Sequence, residues 1–277
     1  MPNTSFRAVE KAHIYGEQRF KILVDQSAVD NPIAVECRKL LEEKKQIQVV
    51  DSKDGTTFLR IIQFGGGLFS QRDTGAKFGP FESAEKLEDH ILKWCRFQRI
   101  LHLENSVADA KTSVDLLIEY EQPLVGRTIG DVFEDEAIEI GFRLRAPVPM
   151  YYAILDLKES GKIEPLFVSS NPVDPGVHKP FAPNKPEALP QGVLERRSTL
   201  KIICSYHPLP FRYLSQQEID RGEILETHKG PETDPLSLLL MDNLELTKNH
   251  PRLIPKTSWV TDNKTTIVRK RSNNTKN

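Results

Sequence analysis

The sequence has 277 residues, and its 38 basic and 39 acidic side chains give a formal net charge of -1, which excludes a global attraction to nucleic acid or anionic membranes. No apolar run approaches the roughly 20 residues that cross a bilayer, and the first residues lack the apolar core of a signal peptide. The three cysteines, Cys37, Cys95 and Cys204, lack CxxC spacing and indicate neither a disulfide framework nor a zinc knuckle. We therefore expect a cytoplasmic protein of one or two domains.

The chain begins with an arm, residues 1–18, and then shows a strand pattern followed by a helix pattern. Apolar residues alternate within residues 19–25, as in a strand with one buried face. Asn31 is a good N-cap, and Pro32 suits the first position of a helix. These two residues predict where the first helix begins.

Two more strands and a longer helix complete this first part. Residues 47–50 and 57–64 are predicted to pair as a hairpin, because an Asp-Gly dipeptide between them is typical of a tight turn. The longer helix has Ser83 as its predicted N-cap and an apolar stripe along one face. We predict a small β-α-β-β-α unit over residues 19–107, with both helices on one face of a short sheet.

A strand-rich part follows, and its clearest signals lie between residues 138 and 168. Residues 138–145 alternate apolar and polar side chains, residues 150–157 are almost wholly apolar, and residues 162–168 return after a glycine turn. We predict an antiparallel meander in one layer of a sandwich. The fold class expected for the chain is α+β, with a mainly antiparallel β-sandwich domain over residues 108–261.

A proline-rich segment, residues 169–197, interrupts the strand-rich part. Its six prolines exclude a central strand or a helix, so we predict a long surface excursion. The remaining predicted elements are a strand from Ser113, a strand over residues 200–206, short helices over residues 215–229 and 234–246, and a last strand with a basic tail over residues 262–277.

The strongest candidate for a nucleophile is Cys204, with His207 three residues later as its base. This pair would make the chain a cysteine hydrolase. Both residues lie at the end of a predicted buried strand, and no third group orients the histidine, which favours a core cysteine. The glycines at positions 65–67 lack the spacing of a phosphate-binding loop and are interpreted as a turn.

An acidic cluster precedes residue 138, and its spacing matches no calcium-binding loop. We interpret it as a solvated acidic turn. The seven histidines show no metal-ligand spacing, and we expect neither a metal nor a cofactor. The acidic residues of this cluster are Asp131, Glu134, Asp135 and Glu136.

Several short motifs, taken in order, carry a resemblance that spans residues 20–270. They are WCRFQRILHLEN at residues 94–105, YYAILD at 151–156, a glycine turn into GKI at 161–163, LKII at 200–203, PFR at 210–212, PLSLLL at 235–240 and WVT at 259–261. In this order the chain resembles the non-catalytic C-terminal region of caspase-like (metacaspase-like) peptidases of bacteria and fungi.

The peptidase domain of that family is missing from the resemblance. A caspase-like catalytic domain needs a His-Gly and a cysteine in an Asp-x-Cys context, so that the imidazole can activate the thiol. No histidine of this chain precedes a glycine, and no cysteine has an aspartate two positions before it. The resemblance therefore implies a module that is not an enzyme and that acts with a caspase-like peptidase as its protein partner, without nucleic acid or membrane.

The predicted partner contacts lie in the proline-rich excursion and on the solvent face of the strand over residues 138–145. Phe181 is the predicted aromatic anchor, because it is the only aromatic residue of the excursion. The full set of predicted contacts is Phe181, His178, Lys179, Arg143 and Arg145. A third hypothesis, a small-ligand-binding sandwich domain, would hold an organic anion with Arg143, Arg145 and Arg212.

Overall fold

The structure is a computed structural model that describes residues 19–44, 46–51, 57–72, 75–104, 111–120, 130–180, 186, 188–189, 191–208, 215–217, 219 and 259–270. The described residues form two helices and thirteen strands, so the chain is α+β and mostly sheet. They divide into two compact units, the first ending at Leu92 and the second beginning at Lys93. Neither described helix is long and apolar enough to cross a membrane.

Several predicted features lie outside the described residues. These are the arm over residues 1–18, the anchor Phe181, the PFR motif with Arg212, the helix over residues 234–246, most of the helix over residues 215–229, and the tail from residue 271 onward.

The first unit contains a five-stranded sheet in the order β2-β1-β3-β4-β5. Strand β1 is parallel to both of its neighbours, whereas β3, β4 and β5 are antiparallel. The elements are β1 (Phe20–Val24), α1 (Pro32–Glu42), β2 (Ile47–Val50), β3 (Leu59–Phe64), β4 (Gly67–Arg72), β5 (Lys77–Phe78) and α2 (Ala84–Leu101).

The predicted hairpin between residues 47–50 and 57–64 is wrong, because β2 and β3 lie on opposite sides of β1. Helix α1 is the crossover that two parallel strands require, and it carries the chain from β1 to β2. The hairpin partner of β3 is instead β4. Gly65 and Gly66 form the turn between them with positive φ angles of 57° and 83°, which glycine adopts without steric cost.

Both predicted helix N-caps are confirmed. The side chain of Asn31 accepts hydrogen bonds from the backbone N–H groups of Ile33 at 3.0 Å and Ala34 at 3.4 Å. The hydroxyl of Ser83 accepts one from the N–H of Lys86 at 3.3 Å. Each side chain thus satisfies donors that have no partner within the first turn of a helix. The division between the two units falls inside α2, before the sequence-based boundary at residue 107.

The second unit contains two sheets. One has five strands in the order β10-β9-β12-β13-β7, and the other has three in the order β11-β8-β6. The strands are β6 (Ser113–Tyr120), β7 (Asp131–Phe133), β8 (Ile138–Arg145), β9 (Tyr151–Lys158), β10 (Ile163–Val168), β11 (Gly176–His178), β12 (Glu195–Ser205) and β13 (Trp259–Arg269).

The predicted meander is correct for its second connection and wrong for its first. Strands β9 and β10 pair as an antiparallel hairpin. Strand β8, however, pairs with β6 and β11 and belongs to the other sheet. Pro147 and Pro149 lie between β8 and β9, and neither can donate a backbone hydrogen bond to a ladder. The chain therefore leaves one sheet there and enters the other.

Apolar side chains from both sheets of the second unit meet in one core, an arrangement consistent with a sandwich. The ring centroids of Phe142 on β8 and Tyr152 on β9 are 4.5 Å apart. At the margin of this core, a carboxylate oxygen of Asp262 on β13 accepts the backbone N–H of Leu116 on β6 at 2.7 Å. The buried core residues are Val114, Leu116, Phe142, Leu144, Met150, Tyr152, Ile154, Leu200, Ile202, Cys204 and Val260.

Two strand boundaries differ from the sequence expectation. Strand β12 begins at Glu195, within the predicted excursion, and β13 runs the whole length from Trp259 to Arg269. Strand β13 does not close the sheet at its edge but lies between β12 and β7. The sequence pattern underestimated the length of both strands, because each contains a run of polar and charged residues. Such segments are predicted as loops when the partner strands are unknown.

Lys201 is a fully buried lysine on β12, and its ammonium donates a hydrogen bond to the carbonyl oxygen of Leu101 at 2.9 Å. Leu101 is the last residue of α2, where a cation complements the helix dipole. Burial lowers the pKa of Lys201 from 10.5 to about 8, and the carboxylates of Glu104 and Asp262 oppose this shift. The charged lysine is therefore less stable in the folded protein than in the unfolded chain.

We predict that K201M abolishes one pH-dependent component of stability. Because the folded pKa is depressed, the unfolded chain binds more protons between pH 8 and 10.5, and the free energy of unfolding of the wild type gains roughly 3 kcal/mol across that window. Methionine has no such titration. Urea unfolding of both proteins from pH 7 to 10.5 measures the difference, and a difference that does not change with pH would contradict the prediction. Loss of the Leu101 hydrogen bond adds only an offset that is independent of pH.

Candidate functional site

The outward side of the three-stranded sheet is the candidate site, and we call it the outer face. Strand β8 buries Phe142 and Leu144 and exposes Arg143 and Arg145, because side chains alternate across a strand. The neighbouring strands contribute residues to the same side through their register with β8. The side chains of the outer face are those of Asp115, Leu117, Glu119, Glu139, Arg143, Arg145, Val177 and Lys179.

Lys179 holds one end of the outer face together. Its ammonium lies 2.7 Å from a carboxylate oxygen of Glu119 on β6 and 2.9 Å from one of Glu139 on β8. The hydrogen bonds to Glu119 and Glu139 raise the pKa of Lys179. Lys179 follows β11, at the edge of the sheet opposite to β6, so its side chain must cross β8.

Gly141 provides the space for this crossing. A Cβ atom at Gly141 would lie 3.4 Å from Cγ of Lys179 and only 2.7 Å from the backbone oxygen of His178. The second distance is too short for a real contact, so a side chain at this position would displace β11. The absence of a side chain at Gly141 thus determines how closely β11 and Lys179 approach β8.

The other end of the outer face carries an excess of positive charge. Asp115 faces Arg143 in the strand register, but its carboxylate lies 3.9 Å from a guanidinium nitrogen of Arg145. Arg143 has no ion-pair partner among the described residues. This end therefore has two exposed guanidinium groups and one half-exposed carboxylate, which pairs with Arg145 alone, whereas the opposite end has two carboxylates for one ammonium.

Strand β11 is the edge next to this positive end. It pairs with β8 on one side, and no other strand of the described ranges pairs with it. Val177 at its centre is 54% exposed. The ring of His178 stacks on Phe142 at 5.0 Å, and its Nε2 donates to the carbonyl oxygen of Asp174 at 2.7 Å. His178 therefore fixes β11 in place and is not a free surface group.

The structure brings four of the five predicted contact residues together around β8 and β11, while Phe181 lies outside the described residues. Sequence reasoning missed Val177, Glu119, Glu139 and Gly141. The alternation in residues 138–145 does place Glu139 and Gly141 on the face of Arg143 and Arg145, but it does not indicate that Lys179 crosses the strand there. The short strand around Val177 has no sequence signal, because prolines surround it.

The pair proposed for a cysteine hydrolase is not arranged as a catalytic dyad. Cys204 is fully buried in the core shared by the two sheets, and burial raises the pKa of its thiol. His207 is exposed. A thiol that stays protonated and out of solvent cannot act as a nucleophile. This geometry disfavours the hydrolase hypothesis for Cys204.

The interpretation of the acidic cluster as a solvated turn is correct for Asp135, which is exposed in a turn, and wrong for two of the other residues. Asp131 and Glu136 are buried, and the carboxylate of Glu136 accepts the backbone N–H of Phe133 at 3.3 Å. The carboxylate of Glu134 accepts the N–H of Leu189 at 3.1 Å. Glu134 and Glu136 thus satisfy backbone donors, whereas the carboxylate of Asp131 lies 3.3 Å from a guanidinium nitrogen of Arg269. Among the described residues no group of three or more His, Cys, Asp or Glu side chains could hold a metal ion.

The first unit contains a Ser–His pair that was not expected from the sequence. Ser70 Oγ on β4 and His90 Nε2 on α2 are 2.6 Å apart, and both residues are buried. The rings of Phe78 and Phe81 lie 5.3 Å and 4.9 Å from the His90 ring and enclose it. A substrate cannot reach a pair that is closed off in this way, so we interpret it as a hydrogen bond within the core.

Comparison of the sequence with models of known protein families and with curated proteins gave no match.

We predict that Cys204 does not react with iodoacetamide in the folded protein. Its thiol is buried and its pKa is raised, so both access and thiolate are missing. Peptide mapping by mass spectrometry after labelling at pH 8, without and with urea, measures this. Labelling only in urea is expected. Rapid labelling of native Cys204 that increases with pH would instead restore the hydrolase hypothesis.

We predict that G141A lowers the free energy of unfolding by about 1–3 kcal/mol, because its Cβ forces the backbone of β11 away from β8. Urea unfolding measures the loss. The matched control is E119Q, which removes one exposed ion-pair partner of Lys179 without a steric change and should cost less than about 1 kcal/mol. Equal stability of G141A and the wild type would show that β11 adjusts freely.

Proposed function

We propose that this chain is a non-catalytic protein-interaction or regulatory module that acts with a caspase-like (metacaspase-like) peptidase. The observation that carries the proposal is the outer face: exposed Arg143 and Arg145 lie beside the edge strand β11 with its exposed Val177. Exposed arginines next to an apolar side chain on a rigid sheet are typical of protein-binding surfaces. The resemblance to the peptidase appendage supplies the identity of the partner.

The scaffold of the proposed module is a β-sandwich formed by the two sheets of the second unit. Their shared core supports this assignment. In such a sandwich the three-stranded sheet exposes its outer side, and its surface residues lie on strands that cannot rearrange easily. The outer face would then present its arginines in a fixed geometry, which favours recognition of a folded or extended protein over a flexible contact.

Two further observations support a module without catalysis that works in the cytosol. The nucleophile candidate Cys204 is buried, which leaves the interaction surface as the better-supported activity. All three cysteines are buried free thiols, the usual state in a reducing compartment. The small-ligand hypothesis retains Arg143 and Arg145 on one face, but its third arginine, Arg212, lies outside the described residues.

We predict that the purified chain, used as bait in an extract of its native cells, captures a caspase-like peptidase and changes its activity. Mass spectrometry identifies the captured protein, and a peptidase assay with and without added chain measures the effect. Bait denatured by heat serves as the control for non-specific capture. If no peptidase is enriched, or if its activity is unchanged by a saturating amount of chain, the regulatory function is wrong.

A further inference from the structure

We propose that the free edge of β11 binds an extended acidic segment of a partner protein as an added β-strand. This inference rests on the proposed function, because it names the chemistry of the partner at the outer face. The free edge is defined by Gly176, Val177 and His178 on the side of β11 that faces away from β8.

The edge offers backbone groups for pairing. Strand β11 uses one side for β8, and in the described part of the chain no strand covers the other side. Peptides that add to such an edge gain affinity from backbone hydrogen bonds and specificity from alternate side chains. His178, stacked on Phe142 and bonded to Asp174, holds the edge in strand conformation before any peptide arrives. A fixed edge lowers the entropic cost of binding.

The register determines which peptide side chains reach the outer face. Val177 is paired with Arg143, so both side chains point outward. The peptide residue opposite Val177 would point the same way, at a distance of roughly two strand spacings, about 10 Å, from the backbone of Arg143. Long side chains of opposite charge can span that distance over a valine. A peptide residue two positions further along would lie beside Arg145. The side chains that meet the two arginines therefore come from alternate positions of the peptide.

The charge determines which side chains these are. Arg143 has no carboxylate partner within the described ranges, and Arg145 has only Asp115 at 3.9 Å. At the other end of the face, Lys179 already binds both Glu119 and Glu139. A basic peptide would find Glu119 and Glu139 already paired with Lys179, whereas an acidic peptide would find two exposed guanidinium groups. Guanidinium groups also bind carboxylates in a two-pronged geometry, which suits recognition.

We predict that the full chain binds a fluorescein-labelled peptide of alternating glutamate and valine, seven residues long, in a fluorescence polarisation titration. The variant R143Q/R145Q should weaken binding at least tenfold, because both charge partners are lost. The matched control K86Q/R197Q removes the same amount of charge from exposed positions outside this face and should change affinity less than twofold. Both double variants remove only exposed ion pairs, and glutamine places no new carboxylate beside Asp115. Both should therefore keep the wild-type thermal unfolding midpoint.

Two further arms test the strand and the charge separately. A peptide with every backbone nitrogen methylated cannot donate backbone hydrogen bonds and should bind at least tenfold more weakly. R143E/R145E should exchange the preference, binding an alternating lysine and valine peptide better than the glutamate one. No binding of the acidic peptide by the wild type at millimolar concentration, equal binding by R143Q/R145Q and its control, or unchanged binding of the N-methylated peptide would each overturn the inference. If R143Q/R145Q still captures and regulates the peptidase, the proposed function stands without this edge.

Discussion

The structure of the second unit depends on one apolar core that two sheets share. Burial of apolar surface is the main favourable contribution to folding, and six of the eight strands, β6, β8, β9, β10, β12 and β13, contribute side chains to this core. The contact between Phe142 and Tyr152 joins the two sheets across the chain crossing at Pro147 and Pro149. Because β8 must turn Phe142 and Leu144 inward, it must turn Arg143 and Arg145 outward. The candidate site is thus a direct consequence of how the core is packed.

Local patterns identified the elements more successfully than their partners. Alternation fixed the faces of β6 and β8, and the N-caps at Asn31 and Ser83 marked two helix starts, because these signals depend on neighbouring residues. Pairing was predicted poorly: β2 does not pair with β3, and β8 does not pair with β9. Pairing is decided by distant strands, and adjacency in sequence was the only guide. Burial of part of the acidic cluster was missed for the same reason, since Leu189 and Arg269, which bind Glu134 and Asp131, are distant in the sequence.

A buried lysine and a surface lysine of the second unit have pKa shifts in opposite directions. Lys201 is fully buried with one hydrogen bond to the end of α2, and its lowered pKa records the cost of that burial. Lys179 lies on the surface between two carboxylates, which raise its pKa. The first lysine fixes a helix end at an energetic cost, whereas the second costs little because water still reaches it. Only the surface lysine shapes the electrostatics that a partner meets.

The separation of charge on the outer face depends on one small residue, Gly141. Gly141 lets β11 lie close to β8, and from there Lys179 crosses β8 and pairs with both Glu119 and Glu139. One negative charge remains at that end, and the excess positive charge of Arg143 and Arg145 lies at the other. A larger residue at that position would meet the backbone oxygen of His178 at 2.7 Å and would therefore shift β11, the strand from which Lys179 reaches Glu119 and Glu139. The pairing at the acidic end thus depends on a steric constraint at Gly141 as well as on the charged residues themselves.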